Sequence, residues 1–412
     1  MSKQTIWTKD FILICLASLF TNITMRMLDA NLASYARETW NSLSIGGQLT
    51  SFFNLGSIAM AFISGRLIDL KGRRNMLIVF IILFAVPTLG MALIPVSGVA
   101  LTVRLIQGMA KGVITVAMAS VVSDITPRER INEGMGMFNL GNMISFAFGP
   151  MLGLYLVDAG GYKMMFIACA LVYAAAALFV IPIRYEKGRK TQNTETKEEK
   201  QDSGNYKGIW KLIERDALIA SLLNTIYFGG YSCILVFLTV YSQTVLKLGN
   251  TQISMYYTIA AAAMLIIRLL TAKTADKHGV LALIVPGILS MIVAMLLLAY
   301  PAKSSYAAFL ISGVFYGLSM SIVTPAFNAA AVFDSPVSRS ATANATFYFL
   351  YDFGILIAST GFGALIDAVG DPERGYLLMF IISSAVLAVS MIGSLILLNE
   401  KARARRRNRA SA

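Results

Sequence analysis

Long apolar runs broken by short polar turns repeat along the chain. Twelve of them cover 11–34, 44–66, 75–94, 99–121, 134–157, 162–183, 217–243, 251–272, 280–300, 305–330, 341–367 and 375–398. Each comes close to the roughly 20 residues that carry a helix across a hydrocarbon layer of about 30 Å. Hydrocarbon offers the backbone no hydrogen-bond partner, so a crossing segment must be a helix or part of a closed barrel. Barrel strands show alternating segments of about ten residues, whereas these runs are longer and continuous. The pattern predicts an all-α integral membrane protein with twelve transmembrane helices. The residues Gly65–Arg74 stand out as a charged, glycine-flanked connection between spans 2 and 3.

Composition agrees with this reading. Apolar residues make up 57% of the 412 positions and charged ones 14%, against about 25% charged in soluble domains. The net charge of +13 invites a nucleic-acid reading, but its distribution argues against one. With the N-terminus in the cytoplasm, about 27 of the 35 basic residues fall on the cytoplasmic side, nine of them between Arg184 and Arg215 and six in Lys401–Arg409. About five, Arg37, Lys163, Lys247, Lys303 and Arg374, fall on the other. This positive-inside bias predicts a multi-pass protein of the cell membrane with both termini cytoplasmic, its basic tail lying beside anionic lipid.

Cys15, Cys169 and Cys233 are isolated within spans, and His278 is the single histidine. The sequence thus offers no disulfide framework and no metal-ligand cluster. It also lacks the Gly-x4-Gly-Lys-Ser/Thr loop that a nucleotide-driven pump needs, and no nucleophile elbow or paired-carboxylate spacing points to an enzyme. No cofactor is expected.

Residues 184–215 form the one composition break, rich in Lys, Glu, Gln and Thr. They predict a cytoplasmic linker between an N-terminal six-helix bundle (1–183) and a C-terminal one with a basic tail (216–412). The halves echo each other. Gly65-x3-Asp69-x2-Gly72 after span 2 has a counterpart in Ala272-x3-Asp276-x2-Gly279 after span 8. Asn139-Leu140-Gly141 in span 5 matches Asp352-Phe353-Gly354 in span 11. Corresponding spans run in the same direction, as in the parallel repeats of one large class of secondary transporter.

On these motifs the chain resembles the major facilitator superfamily over nearly its whole length. Gly65–Arg74 is similar to that family's loop 2–3 signature, with Leu70 where a basic residue is usual. Arg104-x2-Gln107-Gly108 in span 4 resembles a signature of its proton-coupled branches. Gly149-Pro150-x2-Gly153 in span 5 resembles the exporter signature in degraded form, with Ser145 and Leu154 in place of glycines. The resemblance implies two pseudo-symmetric bundles, a central cavity lined by spans 1, 4, 7 and 10, and a cytoplasmic gate that forms and breaks as the cavity changes sides. Gly65, Asp69, Gly72, Arg73, Arg74 and Asp276 would build that gate.

Helical spacing supports the lining independently. Ser18, Asn22 and Asp29 share one face of span 1, flanked by Met25 and Arg26, and Arg104, Gly108, Lys111 and Thr115 share one face of span 4. Ser221, Asn224, Tyr227 and Tyr231 on span 7, and Ser312, Tyr316 and Ser319 on span 10, complete the set. Polar stripes on apolar helices suit faces that meet water or solute rather than lipid. Asp29 and Arg104 lie at similar depth, and Asp29 with Arg104 or Arg26 reads either as a proton-coupling pair or as a permanent ion pair. Lys111, near mid-span, reads as a cation that favours anionic or zwitterionic solutes, or as a partner of Asp29 or Asp352. Asp352 reads as a second protonation site or as a carboxyl held locally by hydroxyls. The expected function is alternating-access transport by a monomer, with protons and a small molecule as its partners. Efflux by antiport is the first reading, and proton-coupled uptake of a small nutrient, with anionic ones among the options, is the second.

Overall fold

A computed structural model describes residues 6–61, 63–127, 130–183, 213–271, 280–333, 335–336 and 339–398, and among them it is helical throughout, with no strand. The helices are α1 (Lys9–Trp40), α2 (Leu43–Ala61), α3 (Ser64–Lys71), α4 (Arg73–Leu93), α5 (Ser97–Ile125) and α6 (Ile131–Val180). After them come α7 (Leu218–Thr244), α8 (Asn250–Thr271), α9 (Leu281–Ala299), α10 (Tyr306–Phe333), α11 (Ser340–Val369) and α12 (Pro372–Gly393).

Local chemistry sets several ends. Thr8 accepts a hydrogen bond from the Phe11 N–H to start α1, and Asn41 stops it in the left-handed region at φ 51°. Asp371 caps α12, which has Pro372 at its first position, where the missing N–H costs nothing. The 50 residues of α6 hold the runs expected as spans 5 and 6, and the helix breaks between them at Gly160 and Gly161, where φ of 70° at Gly161 favours glycine. Among the described residues ten helices are long and apolar enough to cross a membrane. The kinked α6 is one of them and supplies two spans, and α2, with 19 residues, supplies the remaining one. Twelve crossings result. Gly65–Arg74, expected as a continuous turn, is instead the short α3 followed by a reversal at Gly72, whose φ is 83°.

The chain divides into two units. The first comprises Met1–Gln192 with Val236–Gln243 and Lys247–Thr258, and the second comprises Asn193–Leu235, Thr244–Leu246 and Ile259–Ala412. In the first, α1 packs along α6, α2 along α5, and α4 against both α5 and α6. In the second, α9 packs against α10 and α12, and α11 against α12. Leucines such as Leu171, Leu178, Leu269 and Leu270 are strongly exposed, which suits helix faces turned toward lipid chains.

Lipid is as apolar as leucine, so helix pairing in a membrane leans on small residues that let backbones approach. A Cβ on Gly108 of α5 would strike the Phe53 carbonyl of α2, and one on Gly56 of α2 would strike the Leu105 carbonyl of α5. The contact is reciprocal. In the second unit Gly317 of α10 sits in the same way against the Ala260 carbonyl of α8. Gly149 and Gly153 of α6 lie against Arg26 and Met27 of α1, and Gly354 of α11 lies against Thr225 of α7. The internal echo in the sequence is therefore also an echo in helix contacts.

Two arginines hold the chain on either side of residues 184–212. Arg74 donates from Nε to the Ile181 carbonyl at 3.0 Å. Arg339 forms a buried ion pair with Glu214, and its Nη2 donates to the Ile213 carbonyl at 3.4 Å. The Glu214 N–H donates to Thr346 Oγ1 at 2.9 Å. Removing one partner of a buried pair costs about 3–5 kcal/mol, whereas replacing both with apolar groups is often close to neutral. Glu214→Gln is therefore expected to lower thermal stability sharply, and Glu214→Leu combined with Arg339→Met far less. Equal losses in thermal unfolding of the two variants would show that the pair is not coupled.

Candidate functional site

In the first unit a charged cluster forms where α1, α2 and α5 meet. Gly108 and Gly112 let α5 approach α2, with Gly112 against Ser57, and this brings Phe53 and Ser57 beside the polar face of α5. Arg104 is 1% exposed. Its Nη2 donates to Asp29 Oδ1 at 3.2 Å, its Nη1 to Gln107 Oε1 at 3.1 Å, and its Nε to the Leu49 carbonyl at 3.2 Å. The Phe53 ring lies 4.1 Å from its guanidinium carbon. Gln107 Nε2 donates on to Thr88 Oγ1 at 2.8 Å, and Thr88 donates to the Phe84 carbonyl at 2.7 Å. The guanidinium is thus held by three acceptors and a π face, each from a different element or turn.

Asp29 is gripped on both oxygens. Its Oδ2 lies 3.8 Å from Arg26 Nη1, and the carboxylate keeps 15% side-chain exposure, as against 1% for Arg104. Arg26 in turn lies 3.8 Å over the Phe146 ring, in the space that Gly149 leaves open. At 1.5 Å per residue, Asp29 sits about 16 Å from the C-terminal end of α1, and Arg104 about 10 Å from the N-terminal end of α5. Lys111 lies two turns beyond Arg104, about 21 Å along α5. Its Nζ donates to Ser57 Oγ at 3.1 Å and stands 5.8 Å from the same Phe53 ring. A charge in the middle of a bilayer costs at least about 2.5–3.5 kcal/mol, so this carboxylate and these rings answer an electrostatic need.

Other first-unit candidates lie apart from this contact set. Asn22 donates to the Ser18 carbonyl and hydroxyl on its own helix at 2.8 and 3.1 Å. Thr115 is exposed, one turn beyond Lys111. Pro150 lies within α6, between Gly149 and Gly153, which face α1.

The second unit replaces charge with hydroxyls. Tyr227 and Tyr231 on α7 face α10, where Tyr227 Oη meets Ser319 Oγ at 2.8 Å and Tyr231 Oη meets Tyr316 Oη at 3.3 Å. Ser312 is buried and donates to the Phe309 carbonyl at 2.7 Å. Asn224 is wholly buried, one turn from Tyr227, and its amide oxygen and nitrogen have no hydrogen-bond partner among the described residues. Asp352 is 6% exposed on α11.

At the start of α4, Arg73 forms an ion pair with Asp124 from the last turn of α5. Asp69 lies on α3, but its side chain is outside the described set, as is the whole of Asp276. Gly65 lies in α3 with open space around it, and the positive φ of this stretch is at Gly72.

Sequence reasoning missed Leu49, Phe53, Ser57, Thr88 and Asp124 as partners, and Glu214 with Arg339 as a pair. Asp124 had a signal: it is an acid in the last turn of an apolar run, close in the fold to a double arginine.

The Major Facilitator Superfamily profile matches residues 14–359. An uncharacterized MFS-type transporter of Methanocaldococcus jannaschii is 24% identical over 366 residues, covering 88% of this chain and 92% of that protein. Multidrug resistance protein 2 of Bacillus subtilis is 22% identical over 284 residues, covering 68% and 70%. Several other curated relatives are matched over less than half of their own length. Among solved structures, a point mutant of the nucleoside transporter NupG superposes with a TM-score of 0.78 at 12% identity, covering 94% of this chain and 99% of that one.

Proposed function

Because the chain belongs to the Major Facilitator Superfamily, and so is a multi-pass membrane protein of secondary transport, we propose that it expels a small organic molecule in exchange for incoming protons by alternating access. Asp29 carries this reading. It is a partly exposed carboxylate shared by Arg104 and Arg26, and a carboxylate's affinity for a proton rises when a neighbouring cation is withdrawn. A conformational change that moved either arginine would therefore load or release a proton. The likeness to a multidrug resistance protein supports efflux as the direction, and Gly149-Pro150-x2-Gly153 points the same way.

In this reading Asp352 is a second proton site. Asn22, Arg26, Lys111 and Thr115 from the first unit meet the solute, with Asn224, Tyr227, Tyr231, Ser312, Tyr316 and Ser319 from the second. Gly65, Asp69, Gly72, Arg73 and Arg74, with Asp276 in the second half, form the gate on the cytoplasmic side. The protein acts as a monomer in the cell membrane, with both termini in the cytoplasm.

The test is solute flux in proteoliposomes under an imposed pH gradient. Asp29→Asn keeps the shape and removes the carboxylate, and is expected to cut gradient-driven flux about tenfold or more while leaving movement of solute down its own gradient. Flux that ignored the pH gradient in the wild type and the variant alike would overturn proton coupling through Asp29.

A further inference from the structure

Five charged side chains with described positions lie away from the terminal turns of the long helices and from the glycine break in α6: Arg26, Asp29, Arg104, Lys111 and Asp352. Three are cations and two are carboxylates, so the helices carry a positive excess even when Asp352 is counted. Four of the five, three cations and one carboxylate, lie on α1 and α5, and Asp29 is shared by two of those cations. Asp29 is committed to Arg104 at 3.2 Å and to Arg26 at 3.8 Å. Lys111 shares the Phe53 ring with Arg104, at 5.8 and 4.1 Å, and its Nζ donates to the neutral Ser57 hydroxyl.

The three cations differ in access. Arg104 is closed in, its donors directed to Asp29, Gln107 and Leu49. Arg26 keeps 19% side-chain exposure, and Lys111 is also partly exposed. Positive charge is thus locked at the centre of the cluster and open on its flanks. An entering cation would meet this field as repulsion, and an entering anion would balance it.

We propose that the transported solute is an organic anion, with Lys111 and Arg26 as the residues that set its charge preference. This rests on the transport function proposed above and names its substrate class. Phe53 would fix Lys111 and Arg104 relative to one another through its ring face, and Ser57 would hold the ammonium of Lys111 in place.

Three size-matched probe pairs test it in proteoliposomes: methanesulfonate against tetramethylammonium, benzenesulfonate against phenyltrimethylammonium, and 1-naphthalenesulfonate against 1-naphthyltrimethylammonium. These charges are permanent, so pH acts on the protein and leaves the probes alone. Wild type is expected to move at least one sulfonate about tenfold faster than its ammonium match, with Lys111→Gln narrowing the ratio to about threefold or less and Lys111→Glu reversing it. Lys111→Arg should keep the preference, and Arg26→Gln should weaken it. Gel filtration and thermal unfolding identify variants that misfold. If Lys111→Glu does so, the wild-type ratio and Lys111→Gln decide the matter.

An ammonium moving as fast as its sulfonate match under a pH gradient would overturn the anion inference and leave proton-coupled transport standing. An unchanged preference in both Lys111→Gln and Arg26→Gln would overturn the assignment to these residues. Sulfonate flux that ignored the pH gradient would support the anion and defeat the coupling. Movement of no probe at all would overturn the inference.

Discussion

Arg104→Ala is expected to destabilise the protein by about 3–5 kcal/mol, the range for removing one partner of a buried ion pair, and to abolish transport. Its side chain is 1% exposed and joins Asp29 on α1, Gln107 one turn along α5, and the Leu49 carbonyl on α2. Truncation leaves all three acceptors without this donor and Phe53 without the nearer of its two cations. Arg104→Lys is the sharper test. It restores the charge, but a single ammonium on a flexible stem has no planar fork to reach three acceptors in fixed directions. The lysine variant should therefore recover part of the thermal stability and little of the flux. Wild-type behaviour of Arg104→Lys in both measurements would show that only the charge matters there.

Gly108→Val is expected to cost about 1–3 kcal/mol or more by overpacking. The new side chain would run into the Phe53 backbone, and the reciprocal notch at Gly56 means that α2 and α5 are already as close as they can come. The obstruction is backbone, so no rotamer change relieves it. Separation of α2 from α5 would also pull Phe53 off Arg104 and Ser57 away from Lys111, so transport falls with stability. Gly65→Ala is the control, because space around Gly65 is open and alanine favours a helix. Thermal unfolding of the two variants should differ clearly. A Gly108→Val protein as stable as Gly65→Ala would refute the notch.

The spans were legible because hydrocarbon imposes a rule that reads directly in sequence: a helix of fixed minimum length with few charges. The repeat was legible because Gly141 and Gly354 occupy matching places, and each lies against the first helix of its own half, near Leu19 and Thr225. The nearness of Asp29 to Arg104 was one of the pairings that similar depth in their spans allowed. The rest of that network could not be anticipated, since Leu49 contributes a backbone carbonyl and Thr88 lies on a fourth helix, and neither is marked by its residue type. Glu214 and Arg339 escaped for another reason. A tally of basic residues by side of the membrane treats Arg339 as a topology signal, and Glu214 sits at the edge of a charge-rich stretch. Only the fold joins two residues 125 positions apart. The kink at Gly160 and Gly161 was visible as a boundary between runs, and the backbone leaves the helical region at both glycines.

The two-handed grip on Asp29 has a kinetic consequence. A carboxylate held by a single cation must be stripped bare before it can change partners, and that bare state would dominate the barrier. With Arg104 on one oxygen and Arg26 on the other, one contact can lengthen while the second tightens. If Asp29 changes partners during transport, the exchange would be a hand-over, its electrostatic cost spread along the path instead of concentrated at a summit. Arg104 is the fixed hand, walled in by α2 and α5, and Arg26 is the one with room to let go.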